Sequence, residues 1–376
     1  MRRAVSYHAV FLLCGFLFLN SCMDEELWLE RNKPNLDVRN LTEQRGVIIL
    51  NEGNFTYGNT SLTYYNIPSG NEENDVFYRQ NGVPLGDVAH SATLQGGLLY
   101  VVINNSGKVI VMNMGKYPSL KAFEFTGKIT GLVSPRFLEI LSESKAYISD
   151  LYARKISVFD PRTLKITGSV QTGDISGEYY RHPTEQMISY GDFLFTNSYS
   201  FDDQILIINT ITDEAIDSIR VLKQPSSMVA DKNNKLWVIC DGGYQGSGYR
   251  DENAGLVRID METRTIERVF IFKENEWPRR LCINGTSDTL YFINGDIWRM
   301  GTKDENLPEK PFIAARGKLF YSLGIDDITS DIYAGDAINY VQPGVVYRYN
   351  AFGEVRDTIN AGVNPGGIVF VGGRKD

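Results

Sequence analysis

The sequence contains little of what metal and nucleophilic sites are usually built from. Four cysteines and three histidines occur in 376 residues, and their spacing matches no metal-binding motif. There is also no Gly-x-Ser-x-Gly, no zinc spacing and no Walker loop. Candidate catalytic groups are therefore sparse, so we expect no enzymatic activity, no catalytic cofactor and no metal.

Positive charge is also scarce. Lys and Arg number 38 against 46 Asp and Glu, which gives a formal net charge of −8. Removal of an N-terminal signal containing Arg2 and Arg3 would change this charge to −10. A chain this acidic is not expected to bind nucleic acid, and it has no polybasic patch for anionic lipids. Any attachment to a membrane would then depend on an acyl anchor.

The apolar run at the N-terminus is too short to span a bilayer. The segment MRRAVSYHAVFLLCGFLFLNSC has two Arg, then an apolar stretch from Ala9 to Leu19, then small and polar residues. This order is typical of a secretory signal peptide. Its last residues, LNSC, have the form of a bacterial lipobox. We therefore predict a signal peptide over residues 1–21 and lipidation at Cys22; a plain signal peptide with Cys22 free is the alternative.

Residues 22–45 are predicted to be a lipidated N-terminus and tether, because they are polar and show no clear period. The cluster of Asp24, Glu25 and Glu26 resembles the signal that sends Bacteroidetes lipoproteins to the outer face of the outer membrane. That resemblance implies a lipid-anchored protein on the extracellular face. A solvated acidic linker is the alternative.

The overall composition favours an all-β fold. Helix-forming residues do not dominate, whereas 35 Gly, 21 Tyr, 19 Phe and 13 Pro indicate many short strands and turns. Cys240 and Cys282 both lie within apolar runs. We expect two buried thiols, with a disulfide between them as the alternative.

A repeat of 41 to 51 residues runs along the chain. In each unit a strand ends in Asn or Asp and enters a turn, at Asn66, Asn113, Asp160, Asn209, Asp260 and Asn350, with Gly301 in the sixth place. Upstream lie a second apolar strand and, before it, a Pro- or Gly-led strand. Seven four-stranded antiparallel units predict a seven-bladed β-propeller over residues 46–376. An open pair of β-sandwiches would show no sevenfold period.

The first unit has no Pro-led strand of its own. The last strand of the chain, NPGGIVFV, is Pro-led and has no following strand to pair with. A lone terminal strand would leave backbone N–H and C=O groups unpaired. We therefore predict that residues 363–371 pair with residues 46–51 and close the ring.

The predicted ligand site is the face around the mouth of the channel. Loops between the second and third strands share this face with the loops that lead into each blade. Several carry the aromatic and Arg side chains typical of binding anchors; packing of these rings on neighbouring blades is the alternative. The predicted ligand-binding residues are Tyr57, Tyr152, Tyr179, Arg181, Tyr199, Phe201, Asp241, Tyr244, Tyr249, Trp277, Arg279 and Tyr340.

Polar residues at the ends of the second strands are a further candidate. Asn51, Asn104, Asp150, Asn197, Asp241, Asn294 and Asp336 could ring the channel and hold calcium, as such residues do in lactonase-type propellers. More commonly these side chains cap turns and bind water.

The repeat unit YISDLYARKISVFDPRTLKITGSVQTG resembles those of YncE-type seven-bladed propellers, and the likeness covers residues 46–371. The opening VIILNEGNFTYGNTSLTYYN, with the lipobox and acidic cluster, resembles BtuG-type surface lipoproteins of Bacteroidetes. These bind cobalamin (vitamin B12) and cap a TonB-dependent transporter. The resemblance implies a protein that binds cobalamin or related corrinoids and delivers them to such a transporter. A metal-dependent lactonase- or lyase-like propeller enzyme, or a surface adhesion or glycan-binding propeller, are the alternatives.

Overall fold

The computed structural model describes residues 45–115, 122–173, 182–244 and 252–372. Within them the fold is an all-β propeller of seven antiparallel sheets, or blades, with one short helix, α1 (Val76–Asn81). Helix α1 lies between blades one and two. The predicted fold class is confirmed.

Blades one to four each contain four strands. Blade one has β1 (Gly46–Asn51), β2 (Ser61–Asn66) and β3 (Asn71–Glu73), and blade two has β4 (Ala89–Gln95), β5 (Leu98–Ile103), β6 (Lys108–Met114) and β7 (Ala122–Ile129). Blade three has β8 (Pro135–Ser142), β9 (Lys145–Asp150), β10 (Lys155–Asp160) and β11 (Lys165–Gln171), and blade four has β12 (Thr184–Tyr190), β13 (Phe193–Ser198), β14 (Gln204–Asn209) and β15 (Glu214–Arg220).

Blades five to seven complete the ring. Blade five has β16 (Pro225–Ala230), β17 (Lys235–Cys240), β18 (Gly255–Asp260) and β19 (Thr265–Ile271), and blade six has β20 (Arg279–Ile283), β21 (Thr289–Asn294) and β22 (Asp296–Gly301). Blade seven has β23 (Phe320–Ile325), β24 (Ile332–Asp336), β25 (Pro343–Tyr349) and β26 (Val355–Val363), and β27 (Pro365–Val371) is the fourth strand of blade one.

The fourth strand of blade six is reduced. Its place beside β22 is taken by a single antiparallel bridge between Ile297 and Ile313. This is the unit in which Gly301 stands where the other units have Asn or Asp.

The C-terminal strand closes the ring, as the repeat predicts. Strand β27 pairs antiparallel with β1, from Gly46 opposite Val371 to Asn51 opposite Pro365. The strand begins at Pro365 rather than at 363, because Asn364 has a φ of 54° and Asn tolerates this left-handed conformation better than most residues. Pairing of β27 also covers the edge of β1 that would otherwise be unpaired.

The apolar cores lie between neighbouring blades. Successive side chains of a strand point to opposite faces of the sheet, so each central strand contributes to two clusters. In β1, Ile48 and Leu50 pack in the cluster that contains Leu99 of blade two. Val47 and Ile49 pack instead with Tyr333 and other residues of blade seven. Each blade is therefore stabilised by both of its neighbours.

The first strand of each blade lines the centre of the ring, and adjacent first strands are joined by side-chain hydrogen bonds. Ser91 Oγ donates to the carbonyl of Arg136, at 2.5 Å. Ser322 Oγ donates to the carbonyl of Pro365 at 2.6 Å. These bonds fix the relative height of the first strands around the channel.

Cys240 and Cys282 are free thiols, which confirms the prediction that they are not joined by a disulfide. Cys240 is buried, whereas Cys282 is only partly buried and lies in the channel wall. Burial raises the pKa of both thiols, that of Cys282 to about 12. Within the four described segments, no helix is long and apolar enough to cross a bilayer.

Candidate functional site

A cavity of about 630 Å³ occupies the centre of the ring. Its lower wall contains apolar side chains such as Leu281, Leu323 and Ile368. Its upper wall reaches the loops of the predicted ligand face, where Glu52, Asp241 and other polar residues line it. The cavity is therefore apolar in its lower part and polar towards the mouth.

One layer of the wall comes from equivalent positions in all seven blades. The second residue of each first strand lines the cavity, and these residues are His90, Arg136, Glu185, Ser226, Arg280, Tyr321 and Gly366. Because the first strands start at the same end of the channel, their second residues form one ring. We call these seven residues the channel ring.

Three members of the channel ring form a group on blades two to four. Arg136 Nε donates to Glu185 Oε1 at 2.7 Å, and His90 Nε2 lies 3.6 Å from Glu185 Oε2. Burial of Glu185 favours its neutral form, but the charge of Arg136 outweighs this and holds the Glu185 pKa below its usual value. Burial, reinforced by Arg136, lowers the pKa of His90. The group is thus an ion pair beside a neutral imidazole.

A second group lies on blades six, seven and one. The Tyr321 hydroxyl donates to Glu52 Oε2 at 2.5 Å, and Arg280 Nη2 lies 3.7 Å from Glu52 Oε1. Glu52 follows β1 and extends over Gly366. Burial and then the Glu52 charge raise the pKa of Tyr321 well above its usual value. The absence of a side chain at Gly366 is what leaves space for the Glu52 carboxylate.

Four of the predicted ligand-binding residues line the cavity: Tyr199, Asp241, Trp277 and Arg279. Tyr199 packs edge-on against Tyr244, with 6.3 Å between ring centroids. Asp241 Oδ2 accepts a hydrogen bond from Gln224 Nε2 at 3.1 Å. Arg279 Nη2 donates to the carbonyl of Phe320 at 2.8 Å.

Five further predicted residues are exposed around the mouth: Tyr57, Tyr152, Phe201, Tyr244 and Tyr340. Tyr57 is 78% exposed, the highest value among them. Others pack against neighbouring rings, since Phe201 lies 5.0 Å from Tyr244 and Tyr340 lies 5.6 Å from Tyr321. Tyr179, Arg181, Tyr249 and the lipidation site Cys22 lie outside the described residues. We call the five exposed side chains the aromatic rim.

Most polar strand-end residues do not line the channel: some cap turns, and others bond to a neighbouring strand or blade. Asp150 accepts hydrogen bonds from the backbone N–H groups of Ser134 and Tyr152, at 3.0 to 3.1 Å. Asn197 Nδ2 donates to the carbonyl of Pro225 at 2.7 Å. Of the seven strand-end residues, Asp241 alone belongs to the described cavity wall. The capping interpretation is therefore confirmed for Asp150, whereas Asn197 joins its blade to the first strand of the next blade.

Sequence reasoning missed most of the polar residues of the cavity wall, including Glu52, Arg136, Glu185 and Tyr321. Alignment of the seven repeats would have placed the channel-ring residues at one position, the second residue of each first strand. The residue type at that position differs from blade to blade. Among residues 45–115, 122–173, 182–244 and 252–372, no three His, Cys, Asp or Glu side chains are grouped closely enough to hold a metal ion.

Chemically, the site combines apolar rings with a charge-balanced polar wall. The aromatic rim offers faces against which a flat ligand can stack. Beneath it, Arg136 and Arg280 offer donors, while Glu52 and Glu185 offer acceptors. Such an arrangement suits a large ligand with flat apolar surfaces and neutral polar substituents.

The geometry places the protein in the class of seven-bladed β-propellers with a central cavity large enough for a ligand. More particularly, residues 45–364 match a domain of unknown function, DUF5074, and the chain belongs to that family. No curated protein matches the chain.

Several solved propellers share the fold at low sequence identity. A quinonprotein alcohol dehydrogenase-like protein from Bacteroides thetaiotaomicron is 16% identical, covers 86% of this chain and 78% of its own, and has a TM-score of 0.64. A protein from Bacteroides fragilis, provisionally assigned as a 6-phosphogluconolactonase, is 12% identical over 88% of this chain and 98% of its own, with a TM-score of 0.62. Hydrazine synthase from Kuenenia stuttgartiensis is 13% identical over 74% and 88%, with a TM-score of 0.56. Identities this low establish the fold alone.

Proposed function

We propose that this protein is a non-enzymatic binding protein that captures cobalamin or a related corrinoid at the mouth of the propeller channel. The observation that carries the proposal is the aromatic rim lying above a polar-walled cavity of about 630 Å³. A corrinoid with its nucleotide is too large to enter such a cavity whole. It would lie across the mouth, with its faces against aromatic rings and part of its amide-bearing edge over the polar wall.

The resemblance of the N-terminal segments supports anchoring at Cys22 on the extracellular face of the outer membrane. From there the protein would hand its ligand to a TonB-dependent transporter. An exposed apolar patch on blades one and seven supports a protein partner on the same face. Phe55 is 65% exposed and Val341 71% exposed, and their loops are joined by a hydrogen bond from Asn54 Nδ2 to the carbonyl of Tyr340 at 2.7 Å. Exposed apolar patches of this kind are typical of interaction surfaces.

Isothermal titration of the purified protein with cyanocobalamin tests the proposal. We expect one site per chain with a dissociation constant of about 1 μM or less, which corresponds to about −8 kcal/mol or better. Arg162→Ala is the matched control, because Arg162 pairs with Asp160 in a turn between β10 and β11, away from the mouth. Millimolar binding, or none, would reject the proposal.

The enzyme alternative has one supporting observation, since His90, Arg136 and Glu185 are side-chain types that transfer protons or stabilise charge. Analysis of metal in protein purified without chelators, together with a screen for lactone hydrolysis, tests this alternative. Stoichiometric calcium or zinc with turnover would favour it. Polymer binding on a glycan array would favour the adhesion or glycan-binding alternative.

A further inference from the structure

The polar wall contains two separate Arg–Glu groups on opposite sides of the cavity. Blades three and four supply Arg136 and Glu185, which are in direct contact at 2.7 Å. Blades six and one supply Arg280 and Glu52, separated by 3.7 Å. Each group has one positive and one negative charge, and Asp241 and Arg279 add one further charge of each sign to the wall. The charges of the wall as a whole therefore balance.

His90 leaves a hydrogen-bonding position open in this wall. Its side chain is only 10% exposed, and its nearest acceptor, Glu185 Oε2, lies 3.6 Å from Nε2, which is longer than a hydrogen bond. The groups that face it are Glu185, Arg136 and, at longer range, Glu52. A buried polar atom without a partner is costly, so Nε2 is suited to a hydrogen bond from or to a ligand in the cavity.

A charged ligand group would fit this wall poorly. A carboxylate would approach Glu185 as well as Arg136, and a cation would approach Arg136 as well as Glu185. Either would have to replace an existing buried ion pair, which costs more than the new contact returns. A neutral group could add hydrogen bonds while both pairs remain intact.

We infer that the channel ring is a subsite for a primary carboxamide and discriminates against the corresponding carboxylate. A primary amide has two N–H donors for the Glu oxygens and a carbonyl acceptor for Arg N–H groups. It can also satisfy His90 Nε2 in either neutral tautomer. The inference rests on the proposed function, because it assigns one amide side chain of the corrinoid to the cavity beneath the rim.

The experiment compares cyanocobalamin with its isomeric monocarboxylates, in each of which one amide is hydrolysed to a carboxylate. Wild-type protein is expected to bind at least one isomer at least 10-fold more weakly than cyanocobalamin. Glu185→Gln leaves Arg136 without its counter-charge, so the penalty for that isomer should fall at least 10-fold. Arg136→Gln leaves Glu185 unpaired and should increase the penalty.

Glu52→Gln repeats the test on the other side of the cavity, should the Glu185→Gln protein fail to fold. Asp160→Asn is the matched control, because it removes the carboxylate of an Arg–carboxylate pair remote from the cavity. A role that is only structural would weaken amide and carboxylate ligands equally, whereas the inference requires opposite shifts in the Glu and Arg variants.

Two negative outcomes are distinguishable. If wild-type protein binds cyanocobalamin but no carboxylate isomer is penalised, or if neither Glu variant changes the ratio, the carboxamide subsite is wrong and the proposed function stands. If wild-type protein binds neither cyanocobalamin nor any isomer, both are wrong.

Discussion

A methyl group at position 366 is predicted to displace the Glu52 carboxylate. A Cβ atom on Gly366 would lie 2.2 Å from Oε1, 2.6 Å from Cδ and 2.7 Å from Cγ of Glu52. Because Cγ is almost as close as the carboxylate, rotation of the terminal group alone does not relieve the overlap. The Glu52 side chain must move away and lose its hydrogen bond from Tyr321.

The magnitude of the effect follows from that lost contact. A hydrogen bond to a charged group contributes about 1.5–3 kcal/mol. Gly366 does not have a positive φ, so Gly366→Ala recovers about 0.4–1 kcal/mol through the unfolded chain. We therefore expect the free energy of unfolding to fall by about 1–2 kcal/mol, measured by urea denaturation. Cyanocobalamin binding should weaken in parallel, since Glu52 no longer lies in the wall.

Two further variants isolate the cause. Gly367→Ala is the matched control on the same strand, because its Cβ would lie no closer than 3.3 Å to Leu50. In a Glu52→Ala background the cost of Gly366→Ala should largely disappear, since the overlapping side chain is gone. An equal cost of Gly366→Ala in both backgrounds would refute the reasoning.

Three more predictions concern ring closure, the rim and pH. Deletion of residues 364–376 removes β27, one of the two strands that pair with β1, so the melting temperature should fall by far more than for a typical point mutation; an unchanged value would show that the ring closes otherwise. Tyr244→Ala and Tyr340→Ala should each weaken cyanocobalamin binding about 30-fold, or about 2 kcal/mol, while Arg162→Ala has no effect; the reverse pattern in titrations would place the ligand on the opposite face. Burial and Arg136 lower the pKa of His90, so the unfolded chain takes up a proton at a higher pH than the folded one. Stability should therefore fall below about pH 6.5, and His90→Gln should reduce that fall in denaturation curves; an identical pH profile would exclude this role.

The propeller could be predicted because the same turn recurs in each repeat and its backbone favours particular residue types. Asp160 illustrates this, since its carboxylate accepts hydrogen bonds from the N–H and side chain of Arg162 in the turn that it starts. Short polar side chains are favoured at such positions wherever the turn recurs. The apolar strands between the turns then fix blade length, and the unpaired final strand indicates how the ring closes.

The channel ring could not be predicted in the same way, because its residues share a position but not a chemical type. His90, Glu185 and Ser226 are equivalent in the fold, yet only alignment of the repeats, and no shared residue type, links them in the sequence. The placement of Glu52 depends on the missing side chain of Gly366, a contact between the two ends of the described chain. Blade six departed from the prediction for a related reason, since the segment after Gly301 makes a single bridge instead of a full strand.

A crystal structure of the protein with cyanocobalamin would show whether the ligand binds at the channel mouth. We expect a corrin ring across the channel mouth, in contact with the aromatic rim, with an amide side chain directed towards Arg136 and Glu185. Density on the opposite face, beside the turn that contains Arg162, or a channel mouth that stays empty at saturating ligand, would contradict it.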